Sequence, residues 1–89
     1  MLRESHIEHA CCALAKAVGW LTFKFVSPAH RGVPDRIFIK EGRIVFVEFK
    51  APGKKPTKLQ ESVIAKLRAS GCEVHVCDSV EKFRAALSF

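Results

Sequence analysis

The sequence predicts an α/β domain of order α-β-β-β-α-β-α, in which a mixed four-stranded sheet is flanked by helices. Three observations lead there. Apolar residues recur at helical spacing in three segments and alternate at strand spacing in four. Gly, Pro and Ser/Thr punctuation falls between these segments. A three-stranded meander followed by a helix and a further strand requires a mixed sheet with helices packed on it.

The first helix spans about Ser5 to Val18. Ile7, Cys11, Leu14 and Val18 make one apolar stripe, Ser5 and Glu8 have capping-box spacing, and Gly19 is a natural stop. Leu21 to Val26 alternates as a strand, with Leu21, Phe23 and Phe25 on one face. Ser27 to Pro34 carries two prolines, a glycine, His30 and Arg31, and reads as a loop. Asp35–Lys40 and Arg43–Lys50 form a hairpin about the turn Glu41-Gly42. A second loop, Ala51 to Pro56, leads to a helix over Thr57 to Ser70. Thr57 and Gln60 cap that helix, Leu59, Val63 and Leu67 form its stripe, and Gly71 ends it. Cys72 to Cys77 is a short strand. Asp78 caps a final helix carrying Val80, Phe83, Ala86 and Leu87.

Eighty-nine residues, 48% of them apolar, fit one small packed domain over 1–89. A core of that size is marginal, which favours pairing into a homodimer. No stretch has the length of a membrane span, and the N-terminus has no apolar signal region. The expectation is therefore an intracellular, cytoplasmic protein with no membrane partner. The four cysteines lack Cys-x-x-Cys spacing and read as free thiols in a reducing compartment. Fifteen Lys plus Arg face nine Asp plus Glu, a net charge of +6. If Glu8, Asp35 and Glu48 cluster, the rest of the surface is more basic still, which favours a polyanion such as nucleic acid.

The chemistry lies between Pro34 and Lys50. Strand alternation puts Glu48 and Lys50 on one face, roughly 6.6 Å apart along the strand. The apolar run Ile44-Val45-Phe46-Val47 makes a charged pair at its end costly unless something compensates it. A hairpin turning between Glu41 and Gly42 sets Asp35 opposite Glu48, with Cβ atoms about 5 Å apart. Two carboxylates so placed repel each other, and together they can share one Mg²⁺-type ion. Such an ion activates water and stabilises charge on a phosphodiester. The plainer reading of Glu48 and Lys50 is a surface ion pair, and Pro-Asp alone is a common turn dipeptide.

Gly32-Val33-Pro34-Asp35, then Val47-Glu48-Phe49-Lys50, then Gln60 in the next helix resembles the PD-(D/E)XK nuclease superfamily. Within it, the chain is similar to the VRR-NUC (virus-type replication–repair nuclease) family over essentially its whole length. The resemblance implies a restriction-endonuclease-like core and Mg²⁺- or Mn²⁺-dependent cleavage of DNA. It implies Asp35, Glu48 and the backbone carbonyl of Phe49 as metal ligands, and Lys50 as the group that orients or activates the attacking water. It places Glu8 as the first-helix glutamate, a further ligand reached through water, and Gln60 beside the catalytic centre. It also implies a homodimer of phage or mobile-element type, acting in replication or repair on branched DNA, as Holliday-junction resolvases do.

Glu8 and Gln60 each have a second reading as helix caps. Lys54, Lys55 and Lys58, in a segment without acids, can grip a phosphate backbone, as can Arg31 and His30; the alternative is a solvated charged loop. Trp20 reads as a core or dimer anchor. Two other readings compete with the nuclease: a non-catalytic DNA-binding module that retains the fold, and an interaction domain whose charge is incidental.

Overall fold

A computed structural model describes residues 2–89. The elements are α1 (Glu4–Ala17), β1 (Leu21–Lys24), β2 (Arg36–Lys40), β3 (Arg43–Phe49), α2 (Lys58–Ala69), β4 (Glu73–Cys77) and α3 (Val80–Leu87). The order is the expected one. The strands form a single mixed sheet in the order β1-β2-β3-β4, antiparallel except for the parallel pair β3–β4 that α2 connects.

The β2–β3 ladder pairs Arg36 with Val47 and Phe38 with Val45. That is the register the Glu41-Gly42 turn predicts, and one further step sets Asp35 opposite Glu48. Both turn residues have positive φ, +50° and +82°, as a tight two-residue hairpin turn requires. Period-two alternation then divides the sheet. One face carries Phe38, Val45, Val47 and Phe49, all fully buried with Ile7, Cys11 and Ala15 of α1 and with Phe83 and Leu87 of α3. Phe38, Phe49 and Phe83 meet with ring centroids 5.0–6.3 Å apart, contacts worth about 1 kcal/mol each beyond their area. Trp20 is buried in this core, with the Arg43 guanidinium 5.6 Å from its ring.

Arg43 also ties the ends of the fold together. It makes paired hydrogen bonds to Glu73 at 3.0 and 2.6 Å and donates to the carbonyl of Ala86 at 2.9 Å. This guanidinium, with His75 at 2.7 Å, holds the Glu73 carboxyl down at about 2.

Several local expectations are corrected. The α1 N-cap is Arg3, not Ser5: its backbone N–H donates to the His6 ring at 3.3 Å, and Glu8 does not serve as a cap. The buried stripe of α1 is Ile7, Glu8, Cys11, Cys12 and Ala15, which leaves Leu14 and Val18 exposed. Small Ala15 is the residue turned into the core. Gly19 ends α1 at φ +95°, letting Trp20 N–H return to the Ala15 carbonyl. β1 is shorter than expected, ending at Lys24. The α2 capping box forms, Thr57 N–H to Gln60 Oε1 at 2.9 Å and Gln60 N–H to Thr57 Oγ1 at 3.2 Å. Ser79, not Asp78, caps α3. Asp78 instead accepts from Gly53 N–H at 2.9 Å and pairs with Lys82, which anchors the 50–57 loop. The four cysteines are free thiols, and no described helix is long and apolar enough to cross a membrane.

Candidate active site

Asp35, Glu48 and Lys50 share the sheet face opposite the aromatic core, at the end where β2 begins and β3 finishes. β3 carries Glu48 there by simple alternation: Val47 and Phe49 on either side are core residues, so Glu48 must point the other way. Pro34 is fully buried beside them. Asp35 lies just before β2, and its carbonyl accepts from Phe25 N–H at 2.9 Å. Its carboxylate oxygen Oδ2 accepts from Phe49 N–H at 2.8 Å. The Asp35 side chain therefore takes the β3 amide that the ladder would otherwise pair with backbone.

Glu48 is 1% exposed. Lys50 Nζ lies 3.2 Å from its Oε2, and Gln60 Nε2 donates to that same oxygen at 3.1 Å. Oε1 is buried, and no protein group donates to it. A buried acceptor with no donor costs roughly 1–3 kcal/mol, more when charged. Burial, and then the charge of Asp35, push the Glu48 carboxyl up to about 7 against the opposing pull of Lys50. Asp35 is also raised by burial, an effect its bond from Phe49 N–H opposes. The pair is unstable as two bare anions and suits a hard cation.

Glu8 lies elsewhere. It is buried on α1 and reaches Arg36 Nε at 2.8 Å and Lys24 Nζ at 3.7 Å. Arg36 is one residue from Asp35 and so lies on the opposite sheet face. Glu8 is occupied there by two cations rather than joined to Asp35 and Glu48. Among the described residues, no three His, Cys, Asp or Glu side chains are grouped to hold a metal ion. The acidic cluster expected of Glu8, Asp35 and Glu48 is thus two carboxylates, with Glu8 paired to Arg36 and Lys24 and its charge still adding to the rise of Asp35.

Sequence reasoning missed Glu4, one turn before Glu8 on the same side of α1. Its carboxyl is raised by burial, by Asp35 and by Glu8, while Lys50 pulls it down, and its charge in turn raises Glu48. The signal was available: Glu4 and Glu8 are i,i+4, so a face that presents one presents the other. Arg36 was missed as well, because nothing local marks it as the partner of a residue 28 positions away.

The basic residues flank this centre. Lys54 and Lys55 are exposed and line a cavity of about 480 Å³ with Gly53, Asp78 and Lys82. Lys58 is exposed at the start of α2. His30 and Arg31, also exposed, line a different cavity on the other side of that helix.

Comparison with known proteins finds relatives of the chain and of its fold. A sequence model of the VRR-NUC domain matches residues 3–81. The phage protein named "Putative nuclease p44", from Acyrthosiphon pisum secondary endosymbiont phage 1, is 46% identical over 80 residues; the match covers 89% of this chain and 86% of p44. A solved VRR-NUC domain superposes with a TM-score of 0.88 at 24% identity, over 99% of this chain and 97% of the other, and so shares its fold.

Proposed function

The chain belongs to the VRR-NUC family, and from that premise we propose that it is a divalent-metal-dependent endonuclease. Its substrate is branched or structured DNA, cut at phosphodiester bonds as Holliday-junction resolvases cut, in the replication or repair of a phage or mobile element.

One observation carries the reading: Glu48 Oε1 is buried without a donor while Lys50 and Gln60 hold the other oxygen. A carboxylate kept inside a protein with one oxygen free suits a cation-binding role, and carboxylate oxygens are the donors that Mg²⁺ and Mn²⁺ prefer. Glu48 and Asp35 would hold the ion, joined by the Phe49 carbonyl. Two side-chain carboxylates suffice for an ion that keeps several waters. When bound, it supplies a water acidic enough to attack at neutral pH and offsets charge on the phosphate.

The chain's own groups do the rest. Gln60 and Lys50 fix the Glu48 carboxylate in one orientation through its Oε2. Lys50, 12% exposed at its side chain, orients the attacking water or a phosphate oxygen from the same face. Asp35 is held by Phe49 N–H. Lys54, Lys55 and Lys58 on one side and Arg31 and His30 on the other bind the DNA backbone, in contacts that weaken with salt.

The dimer has its own support. On the face carrying Glu48, two cross-strand rows are wholly apolar: Leu21, Ile39, Ile44 and Phe23, Ile37, Phe46. Leu21, Phe23 and Ile44 are more than half exposed. Two apolar rows with no charged member, on a chain of net charge +6, suit a second copy better than DNA.

A cleavage assay on duplex, flap and four-way-junction DNA, with and without Mn²⁺, tests the proposal. Mn²⁺-dependent cuts in the branched substrates are expected. No cleavage of any of them with Mn²⁺ present would overturn it.

A further inference from the structure

The cavity beside His30 and Arg31 has no role in holding the carboxylates. It opens between the 25–35 loop and α2 and holds about 510 Å³. Val33, Leu59 and Val63 line it with apolar surface, while Arg31 and Lys66 bring positive charge and His30 an imidazole ring. Its two walls are in close contact. Gly32 has φ +86°, and a Cβ there would lie 3.0 Å from Leu59 Cγ and 3.2 Å from Val63 Cγ2, so only glycine lets the loop approach α2 this closely. Leu59 is 50% exposed on a helix that buries Ile64 alone. Beyond its contact with Gly32, the exposed half of Leu59 is apolar surface left open to solvent. It adjoins Gln60, whose amide is on Glu48.

We infer that this cavity takes one unstacked base of the DNA strand being cut, next to the scissile phosphate; the inference rests on the nuclease reading above. A base in an intact duplex has both faces covered by its neighbours, and only an unpaired one can offer a face to a protein. Val33, Leu59 and Val63 suit that flat apolar face, and the volume is that of a small-ligand pocket. Arg31 and Lys66 at the rim suit the phosphates on either side of the base, and a guanidinium can also stack on it. The site therefore selects DNA with an unpaired nucleotide beside the cut, as at a branch, flap or bulge. Fully paired duplex can reach Lys54 and Lys55 but leaves the cavity unfilled.

The test is equilibrium binding without divalent metal, so that no cleavage occurs. The probes are a duplex with one unpaired 2-aminopurine and the same duplex fully paired. The wild-type chain should bind the bulged duplex roughly tenfold more tightly, as burying one base face implies, with a change in 2-aminopurine emission. Leu59→Asn keeps size and charge while removing the apolar floor. Ala29→Leu, from the exposed loop side of the same cavity, fills it without touching the core. Both should lose the preference and the emission change while binding paired duplex as before. Equal wild-type affinity for the two probes overturns the inference and leaves the nuclease reading standing, as does a preference that survives both substitutions. No binding to either probe overturns both.

Discussion

Lys50 Nζ lies 3.2 Å from Oε2 of Glu48, on the oxygen that Gln60 also holds, and Oε1 of the same carboxylate is buried with no donor. The asymmetry gives one side chain two tasks. One oxygen is anchored by the protein, and the other carries the ligand role proposed above.

Without a bound cation, that arrangement costs stability in a pH-dependent way. The Glu48 carboxyl sits at about 7 in the folded chain against an ordinary 4.5. Its contribution is therefore full below 4.5 and is lost as pH rises through about 7. Between pH 5.5 and 7.5 the metal-free protein should lose on the order of 2 kcal/mol from this group. Urea melts of wild type and Glu48→Gln at both pH values isolate it, since the difference between the two proteins should change with pH by that amount. A difference that does not change with pH would refute the assignment.

Lys50→Ala removes the amine proposed to orient the attacking water, while leaving the loop lysines untouched. Cleavage should fall by about 100-fold or more, with DNA affinity changed less than about threefold. Single-turnover cleavage and anisotropy on the same substrate separate the two effects. Undiminished cleavage would remove Lys50 from the mechanism.

Asp35→Asn and Glu8→Gln should separate in calorimetry with Mn²⁺. Asp35→Asn is expected to weaken binding by about tenfold or more, because it removes one of two opposed carboxylates. Glu8→Gln should alter Mn²⁺ affinity much less and instead lower folding stability by about 1–3 kcal/mol, since it leaves the half-buried Arg36 without its 2.8 Å partner. Equal losses of metal affinity in the two variants would show that Glu8 leaves Arg36 to join the ion.

Phe23→Asp places a charge at the exposed β1 end of the apolar rows. If that face joins two copies, light scattering at micromolar concentration should show the wild type at twice the monomer mass and the variant at the monomer mass. Phe23 is 55% exposed, so the variant should retain its fold by circular dichroism. A wild-type monomer ends the dimer reading; a dimeric Phe23→Asp moves the interface elsewhere.

Much of the site was legible because it is built from short-range regularities. The Glu41-Gly42 turn sets the hairpin register, and alternation along β3 puts Glu48 and Lys50 on one face and Phe49 on the other. Thr57 and Gln60 announce their own capping box. Gln60 kept that role and also reaches Glu48, as its backbone N–H and side-chain oxygen serve the cap while its Nε2 donates to the Glu48 carboxylate. Asp78 was misread because a capping residue and its neighbour look alike in sequence, and Ser79 occupies the extended backbone position that a cap needs.

What the sequence determined by itself was direction: which way each side chain of the hairpin faces, and hence that Asp35, Glu48 and Lys50 belong together. Only the tertiary structure decided the partners. It gave Glu8 to Arg36, brought Glu4 within electrostatic range of Asp35 and Glu48, left Glu48 Oε1 without a donor and left the β1–β3 apolar rows uncovered. Direction follows from backbone periodicity over a few residues, whereas compensation of a buried charge depends on how α1 and α2 dock on the sheet. Glu8 and Arg36, 28 residues apart, meet only through that docking.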